Sequence, residues 1–149
     1  MSSGWIGRRV AIVEGCRTPF CKAGTAFREM SAIELGTIAV RELLNRAELD
    51  PELVDEVVYG TVIPSVTAPN IAREVTLGAG LPPRVPAYSV TRACATANQA
   101  ITSAAETIAR GYADVVIAGG AESLSNVPIL LGRKLAGVLT AISRARTLT

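Results

Sequence analysis

The chain has 149 residues, 49% of them hydrophobic and 19% charged, which predicts one soluble globular domain rather than a disordered chain. A net charge of +2, with no block of either sign, argues against nucleic acid as an obligate partner. No apolar run approaches the length of a transmembrane segment, and the run after Arg9 ends at Glu14, before it could form a secretory signal.

The numbers of cysteines and histidines limit which disulfides, metal sites and catalytic bases the chain can form. The cysteines are Cys16, Cys21 and Cys94, and an odd number in a short chain disfavours a disulfide framework and favours a reducing, cytoplasmic location. The chain has no histidine and no second cysteine pair, so we expect no metal site. Any base that activates a cysteine here is therefore not a histidine of these residues.

Short β-branched runs alternate with segments of helical spacing along the chain. In chain order we predict a strand at 9–14, a helix at 31–47, a strand at 56–60, a helix from Asn70 to about Leu77, a strand at 88–91, a helix at 94–110, a strand at 113–118 and a helical segment from Pro128 onward. Ser31 and Glu34 have the spacing of a capping box, which fixes the start of the first helix. This alternation is typical of an α/β fold with a layered sheet.

The segment from Pro128 onward has an apolar seam flanked by basic residues. The seam consists of Leu131, Leu135, Val138 and Ile142, and the basic residues are Arg133, Lys134, Arg144 and Arg146. Such a helix can bind a membrane surface or a partner protein, but we expect its apolar side to pack on its own domain.

The stretch from Tyr88 to Ile101 is the most informative part of the sequence. It predicts a strand that places Cys94 in the first turn of a helix rich in small residues. The free N–H groups and partial positive charge of a helix N-terminus favour a thiolate, which is the nucleophilic form of cysteine. Cys94 is therefore a candidate nucleophile for acyl chemistry, and the alternative is an inert buried cysteine.

Three stretches in series resemble the N-terminal half of a thiolase. They are Arg17–Phe20, Ala93–Ala100 around the cysteine, and the glycine-rich segment Ala118–Asn126. Four shorter segments resemble one kind of thiolase, the 3-ketoacyl-CoA thiolase subunit of fatty-acid oxidation complexes, of the trifunctional β-subunit type. These segments are residues 68–73, 89–94, 126–129 and 133–135.

The resemblance implies a thiolase-like α/β fold, with residues 1–149 forming an incomplete N-terminal domain and 128–149 the start of the family's loop region. It implies that Cys94 accepts the acyl group, with its own main-chain N–H as one donor to the developing oxyanion. Coenzyme A is then a co-substrate and acyl-CoA the other ligand, with no permanently bound cofactor. No residue of the chain is assigned to CoA binding.

The resemblance also implies what the chain lacks. Thiolases use a histidine base and a second cysteine acid from their C-terminal half, and neither Cys16 nor Cys21 matches the motif of that second cysteine. We therefore predict a 3-ketoacyl-CoA thiolase nucleophile half that is inactive alone. Expected partners are further copies in a homo-oligomer and a hydratase/dehydrogenase subunit.

Two alternatives stay open. A biosynthetic acetyl-CoA acetyltransferase has Ser and Gly where this chain has Thr96 and Ala97, so the sequence favours the degradative type without excluding the biosynthetic one. The alternative from another class is a non-catalytic domain that binds a partner.

Overall fold

The sheet of the described chain has three parallel strands. The computed structural model describes residues 7–144. Strands β1 (Glu56–Gly60), β2 (Ala87–Val90) and β3 (Val116–Gly120) lie in the order β2-β1-β3. The register pairs Val57 with both Ala87 and Ile117. Because all three strands run in the same direction, their carboxyl ends meet at one edge of the sheet.

Four α-helices alternate with or follow these strands in the described chain, confirming the predicted α/β alternation. They are α1 (Ala32–Arg46), α2 (Ile71–Gly78), α3 (Thr96–Ala109) and α4 (Arg133–Arg144), with a short 3-10 helix at Pro51–Leu53. The predicted capping box of α1 is confirmed by the reciprocal hydrogen bonds of Ser31 and Glu34. Asn70 caps α2, as predicted, by accepting the N–H of Arg73.

The sheet lies between two helical layers. Val57 and Tyr59 of β1 pack against α1 and α2, while alternation along the strand turns Val58 toward α3. The core on the α1 and α2 side is built mainly from buried aliphatic side chains, among them Val40, Leu44, Val54, Ile71, Val75, Leu81, Val85 and Ile117. Between residues 7 and 144, no helix combines the length and apolar character that a bilayer crossing requires.

The predicted first strand, at 9–14, is wrong for the described chain. These residues belong to no strand, and Ile12 and Val13 are 84% and 85% exposed. A strand needs a neighbour to pair its main-chain N–H and C=O groups, and no strand of the described residues is paired with this segment. β-branched residues favour a strand, but they do not show whether another strand is available to pair with it.

Two predicted boundaries move toward the carboxyl end of the chain. The last strand begins at Val116 rather than 113, because the N–H groups of Asp114 and Val115 are bound by the carboxylate of Asp55. The cysteine-bearing helix begins at Thr96 rather than 94, so Cys94 lies just before the helix and not in its first turn.

The prediction that the seam of the last helix packs on its own domain is also wrong. Every residue of α4 is exposed, including Leu135 at 50%, Val138 at 55% and Ile142 at 60%. A seam with basic flanks gives an amphipathic helix but does not specify which surface covers it. Arg146 and the end of this segment lie outside the described residues.

Candidate active site

Cys94 lies at the carboxyl edge of the sheet, between the end of β2 and the start of α3. Cys94 is exposed, so the expectation that it could be a buried cysteine is wrong. The N-cap residue of α3 is Ala95, and among the described residues no side chain caps this helix. The N–H groups of Ala95 and Thr96 donate to the main-chain carbonyls of Arg92 and Ala93, and no side-chain cap binds the N–H groups that follow them.

A tight turn over residues 92–96 holds Cys94 in place. The hydroxyl of Thr96 accepts the N–H of Arg92 at 2.8 Å and donates to the carbonyl of Ala93 at 2.7 Å. Ala93 has φ of 46°, a left-handed conformation that costs free energy for any residue with a Cβ. Strained backbone of this kind is concentrated at functional sites, and here it lies next to the candidate nucleophile.

Two glycines end the strands beside this turn. A Cβ on Gly60 would overlap Cγ2 of Thr96, and a Cβ on Gly120 would lie 2.9 Å from the carbonyl oxygen of Gly60. Gly60 therefore lets α3 approach the end of β1, and Gly120 lets the ends of β1 and β3 lie side by side.

The loops that follow β1 and β3 are joined at the same edge by Glu122. Its Oε2 accepts the N–H of Val62 at 2.7 Å and of Ile63 at 3.3 Å, and its Oε1 accepts the hydroxyl of Thr61 at 3.2 Å. Ser123 extends the connection by donating to the carbonyl of Met30 at 2.6 Å.

A similar contact lies at the opposite edge of the sheet. The carboxylate of Asp55 accepts the N–H groups of Asp114 and Val115 at 2.7 and 3.0 Å, which joins the segments that lead into β1 and β3. These two hydrogen bonds hold the pKa of Asp55 below its ordinary value.

The other cysteines are not part of the Cys94 turn. Cys16 and Cys21 both line a cavity of about 530 Å³ beside α1 and β3, and Cys94 does not line it. Cys16 donates to the carbonyl of Ala39 at 3.1 Å, and burial raises the pKa of its thiol. Within residues 7–144, no group of three or more His, Cys, Asp or Glu side chains is arranged to hold a metal ion.

Comparison with known proteins decides the family. Residues 10–146 match the model of the thiolase N-terminal domain. The chain belongs to the thiolase family. It is 51% identical to the 3-ketoacyl-CoA thiolase of Shewanella denitrificans over 142 residues and 52% identical to that of Shewanella amazonensis over 141 residues. Each alignment covers 95% of this chain and 33% or 32% of the relative, so the chain spans about a third of the length of these thiolases.

Solved thiolase structures confirm the predicted thiolase-like fold. The acetyl-CoA acetyltransferase of Bacillus anthracis superposes with a TM-score of 0.83 at 34% identity, covering 88% of this chain and 33% of that one. The Acat5 thiolase of Ascaris suum, solved in complex with coenzyme A, gives a TM-score of 0.78 at 28% identity, covering 81% and 32%. The three parallel strands and their helices are therefore part of an incomplete thiolase-like α/β domain.

The sequence predicts Cys94 as a candidate nucleophile but does not indicate the residues that surround it in the structure. Cys94 was predicted from a strand followed by a small-residue helix, whereas Thr61, Thr96 and Glu122 were assigned no role. The contacts of Glu122 join segments about sixty residues apart, so no local pattern indicated its role.

Proposed function

We propose that this chain provides the nucleophile half of a 3-ketoacyl-CoA thiolase, with Cys94 as the residue that accepts the acyl group. The observation that carries the proposal is the position of Cys94, exposed at the carboxyl edge of a thiolase-like sheet and directly before a helix without a side-chain cap. The N–H groups at the start of α3 are suited to stabilise an oxyanion that develops beside them.

In the degradative direction, the sulfur of Cys94 attacks the keto carbon of a 3-ketoacyl-CoA. The bond between C2 and C3 breaks, and its electron pair stays on C2, which takes up a proton and leaves as acetyl-CoA. The acyl group remains on Cys94 as a thioester. The thiolate of free CoA then attacks that carbonyl, which releases the shortened acyl-CoA and restores the cysteine.

Both proton transfers need groups that this chain does not contain. It has no histidine, and Cys16 and Cys21 line a cavity that excludes Cys94. We therefore propose that the 149-residue chain alone does not turn over 3-ketoacyl-CoA, whereas transfer of an acetyl group from acetyl-CoA to Cys94, which needs no proton on carbon, can still occur. The complementary histidine and second cysteine would come from outside these residues, as the threefold greater length of the curated relatives suggests.

Two assays test the proposal on the purified chain. Thiolysis of acetoacetyl-CoA should proceed at the background rate. Full activity would contradict the proposal that the chain needs a base from outside these residues. A short-chain chloroacyl-CoA analogue should alkylate Cys94 selectively, with Cys94→Ser as the control. Equal and slow labelling of all three cysteines would instead favour a non-catalytic partner-binding domain.

A biosynthetic acetyl-CoA acetyltransferase is the second candidate. It is supported by the structural likeness to an acetyl-CoA acetyltransferase at 34% identity. The 51% identity to proteins named 3-ketoacyl-CoA thiolase favours the degradative type. Joined to the missing half of a relative, the chain should cleave long 3-ketoacyl-CoA substrates as well as acetoacetyl-CoA; restriction to acetoacetyl-CoA would favour the biosynthetic type.

The compartment and the partners of the protein can be proposed as well. We propose a cytoplasmic enzyme of fatty-acid β-oxidation that forms a homo-oligomer and associates with a hydratase/dehydrogenase subunit. The supporting observations are the free cysteines and the names of the curated relatives. Size-exclusion chromatography with light scattering tests the oligomer.

A further inference from the structure

We propose that Glu122 is a positioning residue for Cys94. Its carboxylate fixes the loop after β1, and through that loop it holds the turn that carries the cysteine. This inference deepens the proposed function and rests on it, because it assigns a residue outside the cysteine segment to the reactivity of that cysteine.

Both carboxylate oxygens of Glu122 are engaged. Oε2 accepts two main-chain N–H groups, from Val62 and Ile63, while Oε1 accepts the hydroxyl of Thr61. Thr61 is 8% exposed, and its hydroxyl can also donate to the carbonyl of Ile63 at 3.4 Å. A glutamine would keep these contacts, because its carbonyl oxygen can accept the two N–H groups while its NH₂ donates to Thr61, whose hydroxyl then turns to Ile63. An alanine removes all three contacts and is therefore the informative replacement.

A continuous set of contacts leads from Glu122 to the cysteine. Thr61 directly follows Gly60, whose backbone lies against the side chain of Thr96. Thr96 in turn binds the N–H of Arg92 and the carbonyl of Ala93, the two residues before Cys94. The N–H of Ala121 also donates to the carbonyl of Gly60 at 3.0 Å, so the segment that carries Glu122 holds the end of β1 directly.

Asp55 provides a matched control within the same sheet. It also uses a carboxylate to accept two main-chain N–H groups between the β1 and β3 segments, but at the amino edge of the strands. Loss of either carboxylate removes a similar set of hydrogen bonds, and only Glu122 lies at the edge that holds Cys94. A general loss of stability should therefore affect both variants, whereas a positioning effect should be confined to Glu122.

The test compares Glu122→Ala, Thr61→Val and Asp55→Ala with the wild-type chain. Peptide mapping by mass spectrometry gives the iodoacetamide alkylation rates of Cys94 and of exposed Cys21, which is the internal reference. Amide hydrogen exchange at Val62 and Arg92 reports the loop and the turn. Urea unfolding of each variant ensures that rates are compared on folded protein.

We expect the ratio of the Cys94 rate to the Cys21 rate to fall about tenfold in Glu122→Ala, because a small displacement of a reactive group has an effect of this size. Thr61→Val should give a smaller fall, exchange at Arg92 should accelerate in both of these variants, and Asp55→Ala should keep the wild-type ratio. An unchanged ratio in Glu122→Ala, or an equal fall in Asp55→Ala, would overturn the positioning role while leaving the proposed function intact. A wild-type ratio no greater than one would instead overturn the proposed function, and the positioning role with it.

Discussion

Gly60 and Thr96 are in direct contact at the carboxyl edge of the sheet, and this contact sets the distance between β1 and the turn that carries Cys94. A Cβ on Gly60 would overlap Cγ2 of Thr96 and lie 2.6 Å from the carbonyl oxygen of Val90. Thr96 is 5% exposed and hydrogen-bonded to the backbone of Arg92 and Ala93, so it cannot move away without disturbing the turn. The absence of a side chain at residue 60 is therefore part of the site.

Gly60→Ala should destabilise the chain by about 3 kcal/mol, at the upper end of the cost of overpacking a core. Urea unfolding followed by circular dichroism measures this change. Gly15→Ala is the control, because a Cβ there meets no atom within 4 Å, and it should stay within about 0.5 kcal/mol of wild type. Adding Thr96→Ser removes Cγ2 and should recover part of the loss; no recovery would mean that the Thr96 contact is not the cause.

Asp55 should stabilise the fold in a pH-dependent way. Its pKa is lowered in the folded chain by the N–H groups of Val115 and Asp114, so the ionised form is the stabilising one. This contribution is complete above the ordinary pKa of aspartate and disappears as the pH falls through the lowered value. Asp55→Asn should therefore unfold at a lower urea concentration than wild type at neutral pH, and the difference should vanish in acid. A difference that persists unchanged in acid would contradict the role of the charge.

Glu56 should show the opposite behaviour. Burial raises the pKa of its carboxyl, and its Oε2 has no hydrogen-bond partner among the described residues. The ionised form is thus disfavoured by folding, and the cost is complete above the raised pKa and absent below the ordinary one. Glu56→Gln should raise the free energy of unfolding at neutral pH and lose this advantage in acid, as measured by urea unfolding across pH. A lower stability at neutral pH would show that the charge has a favourable partner.

The sequence predicted those elements whose signals are local. The capping box of Ser31 and Glu34 and the Asn70 cap are satisfied within a few residues, so α1 and α2 were placed almost correctly. The strand at 9–14 failed because strand formation depends on a neighbour elsewhere in the chain. The apolar seam of α4 could be predicted from its own residues. The surface that would cover the seam could not, because it depends on residues elsewhere.

The candidate site also has one part that is local in sequence and one part that is not. Cys94 can be predicted as a candidate because strand, cysteine and small-residue helix are consecutive in sequence. The hydrogen bonds of Glu122 with Thr61, Val62 and Ile63 join residues about sixty positions apart, and only the register of β1 and β3 brings them together. No local pattern contains that information.

The most direct measurement follows transfer of an acetyl group from acetyl-CoA to the purified chain, with each cysteine-containing peptide quantified by mass spectrometry over time. The sulfur of Cys94 should become acetylated well before those of Cys16 and Cys21, and Cys94→Ser should remove this fast phase without exposing another. Acetylation spread evenly over the three cysteines, or fastest at Cys21, would contradict the assignment of Cys94 as the acyl-accepting nucleophile.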